Sequence, residues 1–311
     1  MKSINNVKGS AILCLAALIW GLAFVAQSQA ADLVPPFMFN ALRSFIGALF
    51  LFLLQFVNAK RRGMPVFPRE TGRKKQALLG GLLCGALLAI SVNFQQFGLT
   101  YYPAEAASEA RAGFLTALYV IIVPLLSVFS RRRVGIPVWI AVAVATVGIY
   151  LLSLSGGIES IYLGDVLVFL CAISFSFHIL AVDKFGAPVG GTLLSMLQFL
   201  VCGILSLILS LCFETVVWEH VLTAAPQILY LGVMSSGIAY TLQIYGQAYA
   251  APAIASLTMS LESVFAALGG WLISGNILSE REFLGCSLVF VAIVLAQLPQ
   301  LFEKRKKGTT A

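Results

Sequence analysis

Nineteen consecutive uncharged residues, Ala112 to Ser130, end abruptly at Arg131, Arg132 and Arg133. As a helix rising about 1.5 Å per residue, such a run covers most of the roughly 30 Å hydrocarbon layer of a bilayer. Lys and Arg gather on the cytoplasmic side of short membrane loops, so the three arginines place the C-terminal end of this segment inside the cell. Pro124 lies well within the run. In a transmembrane helix, neighbouring helices and local adjustments can satisfy the carbonyl a proline frees, so a kinked spanning helix is expected.

The rest of the chain repeats this pattern. It is 59% hydrophobic and 11% charged, against about 25% charged for a soluble domain, which defines an integral membrane protein. Apolar runs predict ten spanning helices at about 9–28, 36–57, 76–99, 109–130, 136–154, 162–182, 190–213, 223–247, 253–274 and 282–301. With the N-terminus inside, the cytoplasmic segments collect seventeen of the twenty basic residues, among them Lys60, Arg61, Arg69, Arg73, Lys74, Lys75 and Lys304 to Lys307. The net charge of +7 therefore faces anionic lipid rather than nucleic acid, and both termini are expected in the cytoplasm. The apolar run after Lys8 shows no convincing cleavage site and is read as a retained first helix. Six cysteines without a CxxC pair read as small buried hydrophobes, and no metal or other cofactor is expected.

An internal repeat organises the helices. With a shift of 155, the stretch from Gly9 lies over that from Gly164 and Arg43 falls on Gln198; with 148, QQFGLTYY from Gln95 lies over QIYGQAYA from Gln243; near 139, Pro124 falls beside Ser263. Five helices per half, an odd number, force the halves into opposite orientations, related by an axis in the membrane plane. The expected units are residues 9–154 and 162–301, followed by a basic tail at 302–311. Extra residues in the first half, Pro103 to Arg111, are expected to lengthen the fourth helix outward as a solvated cap.

The segments IWGLAFVAQ from Ile19, FNALR from Phe39, FGLTY from Phe97, AGFLTALYVIIVPLL from Ala112 and LESVFAALGGWLISGNILS from Leu261 together resemble the EamA family of the drug/metabolite transporter superfamily. The resemblance spans nearly the whole chain, in two copies. It implies an all-α fold of ten transmembrane helices in two inverted five-helix repeats around a central cavity that opens alternately to either side. Two positions depart from the family pattern: Ser263 stands where Leu-Glu-Pro is usual, and Gly275-Asn276 replaces Gly-Glu.

Ionisable side chains at membrane depth usually face a cavity and are site candidates. Glu262, midway along the ninth predicted helix, is a lone carboxyl that must be protonated or find a donor. It reads either as a proton-coupling or amine-binding group or as a neutral structural acid. Arg43 lies about 10 Å down the second helix, on one face with Asn40 and Gly47; a substrate carboxylate and a structural partner are both open to it. His178 reads as a satisfied interfacial histidine, and Arg111, near the outer mouth, as a snorkelling arginine, with attraction of anionic solutes as the alternative. Polar stripes run along Ser236, Tyr240, Gln243 and Gln247 and along Asn93, Gln96 and Thr100, each at helical spacing. Because they fall on equivalent helices of the two repeats, a shared polar pathway is expected, although interhelical hydrogen bonds alone could explain either stripe. Trp20, with Phe24 and Gln27, supplies an aromatic wall.

No GxSxG, Walker A or HExxH pattern occurs, so the chain is not expected to be an enzyme. The reading is a bacterial inner-membrane secondary transporter, and the resemblance implies an exporter of a small metabolite such as an amino acid. Its predicted substrate contacts are Trp20, Asn40, Arg43, Gln95, Gln96, Tyr240, Gln243 and Glu262, and protons are the candidate coupling ion. Uptake, or a non-transporting scaffold or enzyme, are the alternatives.

Overall fold

The computed structural model describes residues 6–63, 65–102, 108–131, 134–153, 161–274 and 279–308. All its elements are helical: α1 (Asn6–Ala31), α2 (Pro36–Arg62), α3 (Thr71–Tyr101), α4 (Ser108–Ala117), α5 (Tyr119–Phe129), α6 (Ile136–Ser153), α7 (Leu163–Val189) and α8 (Gly191–Phe213). Then come α9 (Trp218–Thr223), α10 (Ala225–Tyr230), a π-helical stretch over Leu231–Ala239, α11 (Tyr240–Gln247), α12 (Pro252–Met259), α13 (Leu261–Ser274) and α14 (Glu280–Gly308). Eight helical segments are long and apolar enough to cross a bilayer. Ile136–Leu151 is apolar but shorter. Of the expected cap over Pro103 to Arg111, residues 103–107 lie outside the described residues, as do the Gly275-Asn276 departure and the side chains of the basic tail, while the stretch from Ser108 opens α4.

The distribution of side chains is the reverse of a soluble protein's. Leu49, Leu53, Leu79, Leu82 and Ile208 face outward, while Asn40, Gln96, Gln198, Ser206 and Ser256 are wholly buried. Water cannot serve a polar group in hydrocarbon, so polar side chains must find partners within the bundle.

Turns are tight and locally encoded. Pro36 opens α2 from the extended Pro35, where a missing N–H costs nothing. A single residue, Gly190, reverses the chain between α7 and α8 with φ 93°, a conformation that favours glycine. The basic residues Arg61, Arg73 and Arg131 share one end of the bundle; Pro36, Tyr102 and Glu214 share the other. At that second end the Glu214 carboxylate, just past α8, accepts from the Phe37 and Met38 amides at 2.8 and 2.9 Å, which caps the start of α2 with a negative charge.

Helix pairings come in related sets: α1 packs on α11 and α13, as α7 packs on α3 and α4. At the acidic end a Cβ on Gly164 would stand 2.8 Å from the Gly98 carbonyl oxygen, and at the basic end one on Gly9 would stand 2.9 Å from that of Gly246. Backbone meets backbone at both crossings, and the four glycines are related by the sequence shifts of 155 and 148.

The expected kink does not sit at Pro124, which lies inside α5. The break falls at Leu118, whose amide bonds to the Leu115 carbonyl three residues back and whose own carbonyl accepts from both Ile121 and Ile122. A second break falls at Ser260, between α12 and α13. Glu262 accordingly stands in the first turn of α13 rather than in the middle of an uninterrupted helix.

Candidate functional site

Between these broken helices and α1, α2, α3, α7, the π-helical stretch and α11 lies a cavity. Six of the eight residues predicted to contact substrate line it: Trp20, Arg43, Gln95, Tyr240, Gln243 and Glu262. Phe24, Gln27, Phe175 and Ile179 complete its walls, with Thr116, Tyr119, Ser235 and Met259.

The cavity is built from residues that occupy equivalent places in the two halves of the sequence. Trp20 matches Phe175 and Phe24 matches Ile179 at the shift of 155; Gln95 and Gln243 match at 148; Thr116 and Met259, and Tyr119 and Glu262, match at 143. Tyr119 and Glu262 also touch: the Tyr119 hydroxyl donates to Glu262 Oε1 at 2.8 Å, directly beside the two helix breaks. Ser263, where the family pattern has proline, keeps an N–H that bonds the Ser260 carbonyl, and its hydroxyl donates to the Gly113 carbonyl at 3.3 Å. A proline could make neither contact.

The asymmetric members give the cavity its polarity. Arg43 is 4% exposed, donates to Gln27 Oε1 at 3.3 Å and forms no salt bridge with a described residue. Its Nε, Trp20 Nε1 and Gln243 Oε1 are all buried without a hydrogen-bond partner among the described residues. Unpaired polar atoms in such a place are costly, and a ligand with complementary groups would relieve them. Trp20 packs edge-on against Tyr240, with centroids 4.8 Å apart.

Asn40 and Gln96 do not line the cavity. Asn40 donates to Val92 O and Asn93 Oδ1, and Asn93 in turn donates to Ser206. Gln96 donates to the Gln27 carbonyl at 3.4 Å, and Thr100 to the Gln96 carbonyl. In the predicted stripe on α3, Asn93 and Gln96 thus belong to interhelical contacts and Thr100 bonds back within its own helix, while their neighbour Gln95 enters the cavity, where it donates to Thr116. The other stripe splits as well. The π-helical stretch routes the Tyr240 amide to Ser235 O, five residues back, so Ser235 rather than Ser236 faces the cavity. Ser236 packs instead on Gly47, where a Cβ would stand 2.8 Å from its own. Gln247 donates to Ile179 O.

Two further expectations are corrected. Arg111 does not snorkel. It forms a bidentate ion pair with Asp165, at 2.6 and 3.1 Å, to which the Tyr102 hydroxyl adds a bond at 2.8 Å. A carboxylate within reach outweighs solvation at a site whose side chains are each 11% exposed. His178 is not interfacial: it is fully buried, with Nε2 3.0 Å from Gln198 Oε1.

Comparison with known proteins fits this arrangement. An uncharacterized transporter of Archaeoglobus fulgidus is 30% identical over 292 residues, 92% of this chain and 84% of its own length. The uncharacterized inner membrane transporter YedA of Escherichia coli K12 is 26% identical over 291 residues, 90% of this chain and 88% of its own. A solved crystal structure, 21% identical, shares the fold with a TM-score of 0.76 over 94% of this chain and 98% of its own. A family model described as the EamA-like transporter family matches residues 7–154 and 162–298. The chain is therefore a multi-pass membrane transporter rather than an enzyme, and it belongs to the EamA-like transporter family.

Proposed function

We propose that this transporter is a secondary carrier of ten spans in two inverted repeats, residues 9–154 and 162–301. In this reading it exports a small metabolite such as an amino acid through the central cavity by alternating access. Both termini and the basic tail at 302–311 lie in the cytoplasm, and the membrane is the bacterial inner membrane. The observation that carries this reading is the cavity itself: a buried guanidinium without a carboxylate and a carboxyl held by one tyrosine, between walls of Trp20, Phe24, Phe175 and Tyr240.

An amino acid with an apolar or aromatic side chain satisfies each part. Its carboxylate pairs with Arg43, its ammonium group with Glu262, and its side chain covers the aromatic wall. Glu262 is also the group proposed to exchange a proton, since the ammonium and a proton can alternate on one carboxyl.

The test uses purified protein in liposomes preloaded with a mixture of ³H-labelled L-amino acids. Efflux of at least one label above protein-free liposomes, steepened by an imposed pH gradient, is the expected result. Retention of every label, with folded protein present, would overturn the amino acid reading.

A further inference from the structure

We infer that Gln198 and Ser195, with Gln198 held in place by His178, form a second binding station for the substrate's anionic group, the inverted counterpart of Arg43, used when the cavity opens toward the basic end. This inference rests on the alternating-access reading above.

The sequence shift of 155 lays Arg43 on Gln198 and Asn40 on Ser195. Both pairs project from the second helix of a half, one helical turn apart. Arg43 is bonded to the preceding helix through Gln27, and Gln198 to its own preceding helix through His178. His178 stands one turn before Val182, the residue that matches Gln27. Arg43 follows the start of α2 by seven residues, and Gln198 follows the start of α8 by the same number, at opposite ends of the bundle. The constellation is repeated upside down, with a neutral amide where the first copy carries a charge.

Only the first copy touches the cavity here. The second lies behind the wall: the His178 ring meets Tyr240 edge-on at 6.1 Å and Phe175 at 6.3 Å, and both of those rings line the cavity. Behind them, His178 Nδ1, Gln198 Nε2 and Ser195 Oγ are buried and have no hydrogen-bond partner among the described residues, while His178, Gln198 and Ser195 are each 0% exposed. Three unsatisfied polar groups on two packed helices are expensive if they serve only this state. When the helices of one inverted repeat take up the arrangement of the other, equivalent residues exchange surroundings, and Gln198 then holds the place that Arg43 holds here. Its amide N–H groups and the Ser195 hydroxyl are donors suited to a carboxylate-type oxygen.

Thiol labelling tests this in a chain whose six native cysteines are replaced by alanine. Ser195→Cys should react with the anionic reagent sulfonatoethyl methanethiosulfonate from the face at the basic end. Gln27→Cys, beside Arg43, should react from the opposite face. Adding Gln198→Leu should slow the anionic reagent at position 195 about tenfold, the worth of one hydrogen bond to a charged group, and leave the cationic ethylammonium reagent unchanged. If Ser195→Cys is inert from both faces while Gln27→Cys reacts, His178 and Gln198 are a packing pair and the inference fails, with the cavity intact. Equal effects of Gln198→Leu on the two reagents would remove the anion station but keep the opening. If Gln27→Cys is inert as well, the central cavity reading falls and this inference falls with it.

Discussion

Tyr119 and Glu262 are joined across the two halves of the chain by a 2.8 Å hydrogen bond, each just beyond a break in its helix. The bond binds two pseudo-equivalent positions to each other, so whatever loosens it alters both broken helices at once.

Glu262→Gln keeps the shape and an acceptor for Tyr119 but cannot release a proton. Flux driven by a pH gradient should be abolished, while substrate exchange persists at a weaker apparent affinity, because the ammonium group loses its counter-charge, and the amount of folded protein stays near wild type. Transport by the Gln variant with the wild-type pH profile would show that the carboxyl is structural.

Tyr119→Phe removes the donor and leaves Glu262 buried with one bond fewer. Melting in detergent should reveal a loss of about 1–3 kcal/mol, and the double variant Tyr119→Phe, Glu262→Gln should lose less than the sum of the two single changes. Strict additivity would mean that the two side chains are not coupled.

Much of this site was legible in the sequence, and the reason lies in the repeat. Gln95 and Gln243 stand out because a polar residue recurs at the same place on matching helices, and both reach the cavity. Tyr119, Thr116 and Ser235 were missed. Laying Pro124 over Ser263 sets the shift at 139, one helical turn short of the 143 that places Tyr119 on Glu262, so their equivalence was hidden. Helical spacing also cannot tell a cavity face from an interhelical seam. Asn40 shares the helical spacing of Arg43, and Gln96 that of the stripe on α3, yet they bond α2, α3 and α1 together. The π-helical stretch defeated spacing outright, because a wider turn moves every later side chain around the axis.

Glu214→Ala should destabilise the protein by about 1–2 kcal/mol, since two α2 amides lose a charged acceptor. Glu214→Gln should recover part of this. Thermal unfolding of the purified variants measures both, and an unchanged midpoint for Glu214→Ala would mean that water replaces the carboxylate without cost.

Arg111 and Asp165 should show a coupling of about 1–2 kcal/mol in a double-mutant cycle with alanine, above the usual value for an exposed pair because both side chains are largely buried. Coupling near zero would class the pair with ordinary surface ion pairs.

Reporter fusions after Lys75, Arg133 and Lys307 should register inside the cell and one after Glu219 outside. A periplasmic C-terminus would refute ten spans.

The π-helical stretch leaves two serines side by side, of which only Ser235 accepts the Tyr240 amide. Were the amides of the stretch, that of Tyr240 included, to move to the carbonyls four residues back, the turns would tighten to α-helical geometry and everything from Tyr240 onward would swivel by on the order of 100°. Tyr240 and Gln243 would turn away from the cavity together, as one cam, with no change in the number of backbone hydrogen bonds that the Tyr240 amide makes.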